Sequence, residues 1–126
     1  MQLEHIHQDD RGEIKALVGS EFLPAEEVTV FTTEHGYARG GCIHRESSEH
    51  ICVLAGRIVF VIKGEQENAD IVMCAGDSYT IPPNTPHYFY SITDSVVMEW
   101  GPKISEKGER DEAFRKIVDA MNDRSY

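Results

Sequence analysis

From Val28 to Trp100 the sequence is a series of short β-branched and aromatic runs, broken at close intervals by turn residues. No other feature narrows the choice of fold as much. Residues 28–33 precede Gly36, residues 51–54 end at Ala55-Gly56, and residues 58–62 run into the polar stretch 63–70. Residues 71–74 stop at Ala75-Gly76-Asp77, residues 79–81 meet Pro82-Pro83-Asn84, and residues 87–90 and 96–100 close the series. Strands this short and this regularly punctuated predict an all-β sandwich or barrel, not βαβ units. The last segment has a different period. Phe114, Ile117, Val118 and Met121 fall at i, i+3, i+4 and i+7, which predicts a short C-terminal α-helix over residues 109–122. Glu109, Asp111 and Glu112 then occupy its first turns, where the helix dipole favours acidic groups. The apolar stripe has two readings: packing on the outside of the barrel, or a contact in a homodimer.

Length and charge exclude several functions. The 126 residues predict one domain over 1–126, and 40% hydrophobic with 27% charged residues is a globular composition. Twenty-two acidic against 12 basic residues leave a net charge of −10, so no nucleic-acid partner and no anionic membrane partner is expected. No apolar run near the N-terminus resembles a secretory signal, and none approaches a membrane span. Cys42, Cys52 and Cys74 are odd in number and widely spaced, which predicts reduced thiols and a cytoplasmic location. Cys52 and Cys74 sit in apolar runs and are expected in the core.

The chemistry concentrates in residues 36–56 and around His87. In an extended strand residues two apart share a face, so Cys42 and His44 point the same way. After a turn at Ser47-Ser48, Glu49, Ile51 and Val53 form the matching face of the next strand. His87 opens a later strand behind the rigid corner of residues 82–86. Convergence of His44, Glu49 and His87 would supply two imidazoles and a carboxylate, a set suited to one divalent metal ion (Fe, Mn, Ni or Zn) with positions left open for substrate. Cys42 is either a fourth ligand or a small buried thiol. Glu46 and His50 are spare donors, of which His50 faces away from Glu49 by alternation. His5 and His7 share a face of an N-terminal strand and carry no expected role.

These spacings resemble the two motifs of the cupin superfamily. Gly36, five residues, Cys42, one residue, His44, four residues, Glu49, six residues and Gly56 follow the first motif, with Cys42 where the motif has its first histidine. Gly76, five residues, Pro82, Asn84, two residues, His87 and Ser91 follow the second, with Asn84 in place of glycine and Ser91 in place of asparagine. Asn is among the non-glycine residues that best adopt a positive φ. The resemblance implies a double-stranded β-helix (jelly roll, cupin barrel) with the metal inside. Asp10-Arg11-Gly12 and residues 32–41 are similar to cupins that isomerise or epimerise nucleotide sugars, although Cys42 stands where that group carries its catalytic histidine. The function expected is therefore a small metal-binding cupin acting as a sugar or nucleotide-sugar isomerase, with Tyr37 or Tyr79 as the acid. A metal-dependent dioxygenase of a small organic acid and a non-catalytic ligand-binding cupin are the alternatives. Arg39, Arg45, Arg57 and Lys63 are the only basic residues between 34 and 101, so an anionic small-molecule ligand is expected on Arg39 and Arg45.

Overall fold

The computed structural model describes residues 2–18, 27–102 and 106–124. In chain order the elements are β1 (Gln2–Asp9), β2 (Gly12–Val18), β3 (Glu27–Thr33), β4 (Ala38–Ile43), β5 (Glu49–Ala55) and β6 (Arg57–Ile62). They continue with β7 (Ala69–Cys74), β8 (Ser78–Ile81), β9 (His87–Ser91), β10 (Ser95–Trp100), β11 (Glu109–Arg110) and α1 (Glu112–Asn122). Every strand pair is antiparallel, in a six-stranded sheet of order β1-β2-β3-β10-β5-β8 and a five-stranded sheet of order β11-β4-β9-β6-β7. This is the all-β architecture expected from the strand punctuation, in the jelly-roll form that the resemblance implies.

The core between the sheets follows from alternation. Ile51 and Val53 of β5 and Val97 of β10 are inward and almost wholly buried, and they meet Ile58, Phe60, Ile62 and Phe89 from the facing layer. Alternation also corrects the expectation for two cysteines. Met73 takes the inward position near the end of β7, so Cys74 is exposed; Cys52 is half-buried between Ile51 and Val53.

The second motif's corner turns at Asn84, whose φ of 62° is the one positive value at a non-glycine among the described residues. Its side chain replaces a glycine at a position that demands the left-handed region, which Asn tolerates better than most residues. Its backbone N–H donates to the His44 carbonyl at 2.6 Å, so the two motifs are fastened to each other at the backbone.

The C-terminal segment begins differently from expectation. Residues 109 and 110 pair with β4 as a short strand, and Asp111 then caps the helix, its carboxylate accepting from the Phe114 N–H at 3.0 Å. Asp111 is extended, at φ −95° and ψ 108°, so the helix starts only at Glu112. Phe114 and Val118 are buried against Ala38, Val59, Val61 and Tyr88 on the outer face of the five-stranded sheet, with Met121 packed beside them. Ile117, expected in the same stripe, is 39% exposed. The helix lies close enough to β4 for the Arg115 backbone to sit 3.1 Å from any Cβ placed at Gly41, which also has a φ of 83°.

Phe114→Ala should therefore cost about 3–5 kcal/mol, whereas Ile117→Asp should change stability by no more than about 0.5 kcal/mol. Urea unfolding of the two variants beside the unsubstituted chain checks the contrast. Equal losses would mean that the helix is rotated about its axis.

Candidate metal centre

The site is built across the two layers. Glu49 and Glu99 come from neighbouring strands of one sheet. Glu99 pairs directly with Ile51, two residues beyond Glu49, so the carboxyls are diagonal neighbours on the inward face. His87 comes from β9 of the other sheet, where it pairs with both Cys42 and Ile62. The donor atoms of Glu49, His87 and Glu99 all lie within 4.8 Å of one another. His44 stands at the rim, its Nε2 3.6 Å from Glu49 Oε1, the same separation as His87 Nε2 to that oxygen.

Each imidazole is held from behind. His87 Nδ1 donates to the Thr85 carbonyl at 2.9 Å, a partner that can only accept, so Nε2 is the atom turned to the carboxylates. His44 Nδ1 is buried, makes no hydrogen bond, and lies 3.9 Å from Glu106 Oε1. Glu106 is itself anchored by Ser47 Oγ and by the Glu46 and Ser47 backbone N–H groups, which wraps the turn after His44 around it.

The electrostatics follow from crowding two carboxyls in a sheltered place. Burial opposes ionisation of Glu49, but hydrogen bonds from His87 and Glu99 and the nearby imidazoles outweigh it and hold its pKa down to about 2. Burial and the neighbouring Glu49 charge push Glu99 well above the ordinary carboxyl range. For His87 burial works against the charged form, yet the Glu49 contact wins and raises its pKa. The two carboxyls thus favour opposite states, Glu49 the ionised form and Glu99 the protonated one.

The residues expected from sequence separate into groups. His44, Glu49, His87 and Cys42 all border one cavity of about 310 Å³, and so does Arg39. Cys42 stands outside the compact donor group, and burial raises its thiol pKa, which favours the protonated form. Arg45 lies outside the cavity, pairing with Glu109 at 2.7 Å and bonding the Asn84 side chain, where it clamps the corner. Tyr37 borders a separate surface cleft, its ring 4.2 Å from the Arg124 guanidinium carbon. Tyr79 packs on the core beside Phe60, with ring centroids 5.9 Å apart. The structure thus brings neither tyrosine to the donors. His50 faces outward, stacked on Trp100 and bonded to Thr80; Glu46 is exposed; His5 and His7 pair with Glu13 and Asp9 on the β1–β2 hairpin.

Sequence reasoning missed Glu99, Arg11 and Arg115, the last two being on the cavity wall. For Glu99 a signal existed: a lone acid in the run 96–100, at the same strand parity as the inward Val97. Glu99 also borders a second cleft of about 190 Å³, with Glu27, Trp100 and Glu106, on the other side of His44.

The charge pattern predicts a pH dependence for the chelated protein. Glu99 and His87 have folded pKa values above their unfolded ones, so the stability they add is complete at low pH and drains away as pH rises, from about 4.5 for the acid and about 6.5 for the imidazole. Glu49, with a depressed pKa, adds stability above about pH 4.5 that is lost only on further acidification. Melting in chelator should be higher at pH 5.5 than at pH 8, and Glu99→Gln should flatten that difference. An unchanged pH slope in the variant would show that Glu99 titrates normally.

Residues 29–101 match the family described as the cupin domain. Acireductone dioxygenase of Geobacillus thermodenitrificans is 38% identical over 58 residues, covering 44% of this chain and 32% of that protein. The chain thus spans about a third of the length of the curated relatives it matches. Among solved structures, the capsular polysaccharide assembling protein CapF from Staphylococcus aureus superposes with a TM-score of 0.73 at 18% identity, over 87% of this chain and 32% of that one. A Bacillus subtilis oxalate decarboxylase gives 0.69 at 16% identity, over 94% and 34%. At such identities these two likenesses show the fold. No helix among the described residues is long and apolar enough to cross a membrane. The two motifs, the jelly roll they build and the family match over most of the barrel agree: this chain belongs to the cupin family.

Proposed function

We propose that the chain is a metal-dependent cupin that acts on a small organic molecule inside the barrel. One divalent ion would be held by Glu49, His87 and Glu99, with His44 beside them. The observation that carries this reading is the convergence of two carboxylates and an imidazole within 4.8 Å, drawn from opposite sheets. Two carboxyls forced together so that one must keep its proton are a costly arrangement in a sheltered site, and a cation between them removes the cost. The nitrogen and oxygen donors favour Fe, Mn or Ni over a thiolate-type Zn site. Cys42 is read as a thiol of the cavity wall, outside the ligand set.

A bound ion would supply a Lewis acid with open positions for substrate oxygen atoms. The chain's own groups do the remaining work. The Thr85 carbonyl fixes the His87 ring, and Phe31, Phe60 and Phe89 line the cavity and keep water from the bound molecule. Arg39 borders the same cavity.

Between the two enzyme readings, oxygenation is favoured over sugar isomerisation. Tyr37 and Tyr79 lie away from the cavity, and Cys42 stands at the motif's first histidine, so isomerisation lacks its acid and its histidine base. The partial likeness to a protein named acireductone dioxygenase points the same way.

Elemental analysis of protein grown with defined metals should find about one equivalent of Fe, Mn or Ni. His44→Ala/His87→Ala should remove it, and Glu99→Ala should weaken retention at least tenfold against a chelator, while Cys42→Ser keeps the same ion. Unaltered metal in the double variant would sink the site assignment. Metal-dependent oxygen uptake with small oxo acids supports the oxygenase reading; solvent deuterium entering a nucleotide sugar instead would replace it with the isomerase.

A further inference from the structure

We propose that the cavity beside the carboxylates is a binding site for a small organic monoanion, with its charged group on Arg39 and its apolar body against the lining formed by Phe31, Phe60 and Phe89. The proposal rests on the metal reading above only for which end of the ligand faces Glu49 and His87.

The cavity is lined by acidic and basic residues together: Glu49, His87 and Glu99, and also Arg11, Arg39 and Arg115. These arginines are not equivalent. Arg11 forks onto Asp9, with Nε at 2.9 Å and Nη2 at 2.6 Å from one carboxylate oxygen. Arg115 pairs with Asp119 at 3.0 Å. Arg39 has no carboxylate at ion-pair distance among the described residues, and yet it is only 3% exposed. Its Nε donates to Thr33 Oγ1 at 2.8 Å and its Nη2 to the Thr32 carbonyl at 2.9 Å, which uses two of five N–H groups and fixes the plane of the fork. The Phe31 ring lies 5.6 Å from its central carbon. Burial, and then repulsion from Arg11, lower its pKa to about 10 against a smaller opposing pull from the Asp9 carboxylate, which is not in contact with it, so it stays cationic at neutral pH.

A sheltered cation without a counterion is expensive, and buried charges are normally paired. On the same wall Arg115 Nε is buried with no hydrogen-bond partner, a second donor left over. Both leftovers ask for an acceptor that none of the described residues provides. A planar carboxylate matches a guanidinium fork.

The charge count selects a monoanion. Arg11 and Arg115 are each paired with a carboxylate, Asp9 and Asp119, which leaves Arg39 as the cavity arginine with none in contact among the described residues. Glu49 and Glu99 would balance a divalent ion and repel any further negative charge. A phosphate dianion therefore exceeds what Arg39 can compensate. Ile14, Phe31, Phe60 and Phe89 give the same cavity an apolar lining, and about 310 Å³ is at the small end of ligand pockets. The ligand class is thus a small carboxylate with a ring or short hydrocarbon body.

Calorimetric titration of the metal-loaded full chain with benzoate, benzamide and inorganic phosphate tests this. Benzoate should bind at least tenfold more tightly than benzamide, and phosphate no more tightly than benzamide. Arg39→Gln should lose tenfold or more in benzoate affinity with its metal content unchanged, Arg39→Lys should recover part of it, and Arg45→Gln should bind benzoate normally. Equal binding of benzoate and benzamide by the unsubstituted chain, or tighter binding of phosphate, overturns the proposal without recourse to any variant. Benzoate affinity that survives in Arg39→Gln overturns it as well. Metal retained with no benzoate bound ends the anion site and leaves the metal reading standing. Benzoate binding that needs Arg39 in a chain that holds no metal does the reverse.

Discussion

The barrel is organised around a conflict: Glu49 and Glu99 place two carboxyls side by side on the inward face of one sheet, opposite His87 of the other. Neutral apolar residues at those positions would close the core more cheaply. The chain instead surrounds the carboxyls with compensating groups, each tied to backbone geometry. His87 is fastened through Thr85, His44 is brought in by the turn that wraps Glu106, and the Asn84 N–H anchors that turn to the corner. The apolar cluster of Ile51, Phe60, Phe89 and Val97 lies directly beneath and sets the spacing between the sheets. Such a rigid frame is what a site with several ligands needs, since the donors cannot drift apart to relieve their repulsion.

Charge is distributed unevenly over the same cavity. Carboxylates, imidazoles, guanidinium groups and aromatic rings all line it. Beside His44 the smaller cleft is acidic, with Glu27, Glu99 and Glu106 among its lining. A chain with a net charge of −10 thus gathers three of its 12 basic residues around this one cavity. Specificity in such a site comes from the wall, because the donor set alone would accept many oxygen ligands. The helix contributes to this wall through Arg115 while its buried stripe holds it on β4, so its packing and its part in the cavity are one structural fact.

Much of the fold was legible in the sequence because it depends on local rules. Turn residues at Gly36, Gly56 and Gly76 mark strand ends, alternation sets inward faces, and Asn84 adopts the positive φ that its place in the motif requires. His44, Glu49 and His87 were legible for the same reason: their spacing from those turns is a matter of counting. The helix was read correctly in period and in the face it packs, but its stripe of four positions is wider than the contact: Phe114 and Val118 are buried, Met121 packs beside them, and Ile117 is left in water.

Other features needed the third dimension. What an arginine pairs with depends on what the fold brings beside it: Arg45 meets Glu109 and Asn84, while Arg39, among the described residues, is in contact with a hydroxyl, a carbonyl and a ring. Tyr37 and Tyr79 are acids by residue type but lie away from the donors. Glu99 joins the site because β10 lies between β3 and β5, a neighbourhood made by residues almost fifty positions apart. The sequence by itself determined the strands, their inward faces and two of the three converging donors, Glu49 and His87, since these follow from period and spacing along one chain. Only the tertiary structure decided the third donor, Glu99, the place of His44 at the rim and the pairing of each arginine among the described residues, because these depend on distances between strands that no local pattern encodes.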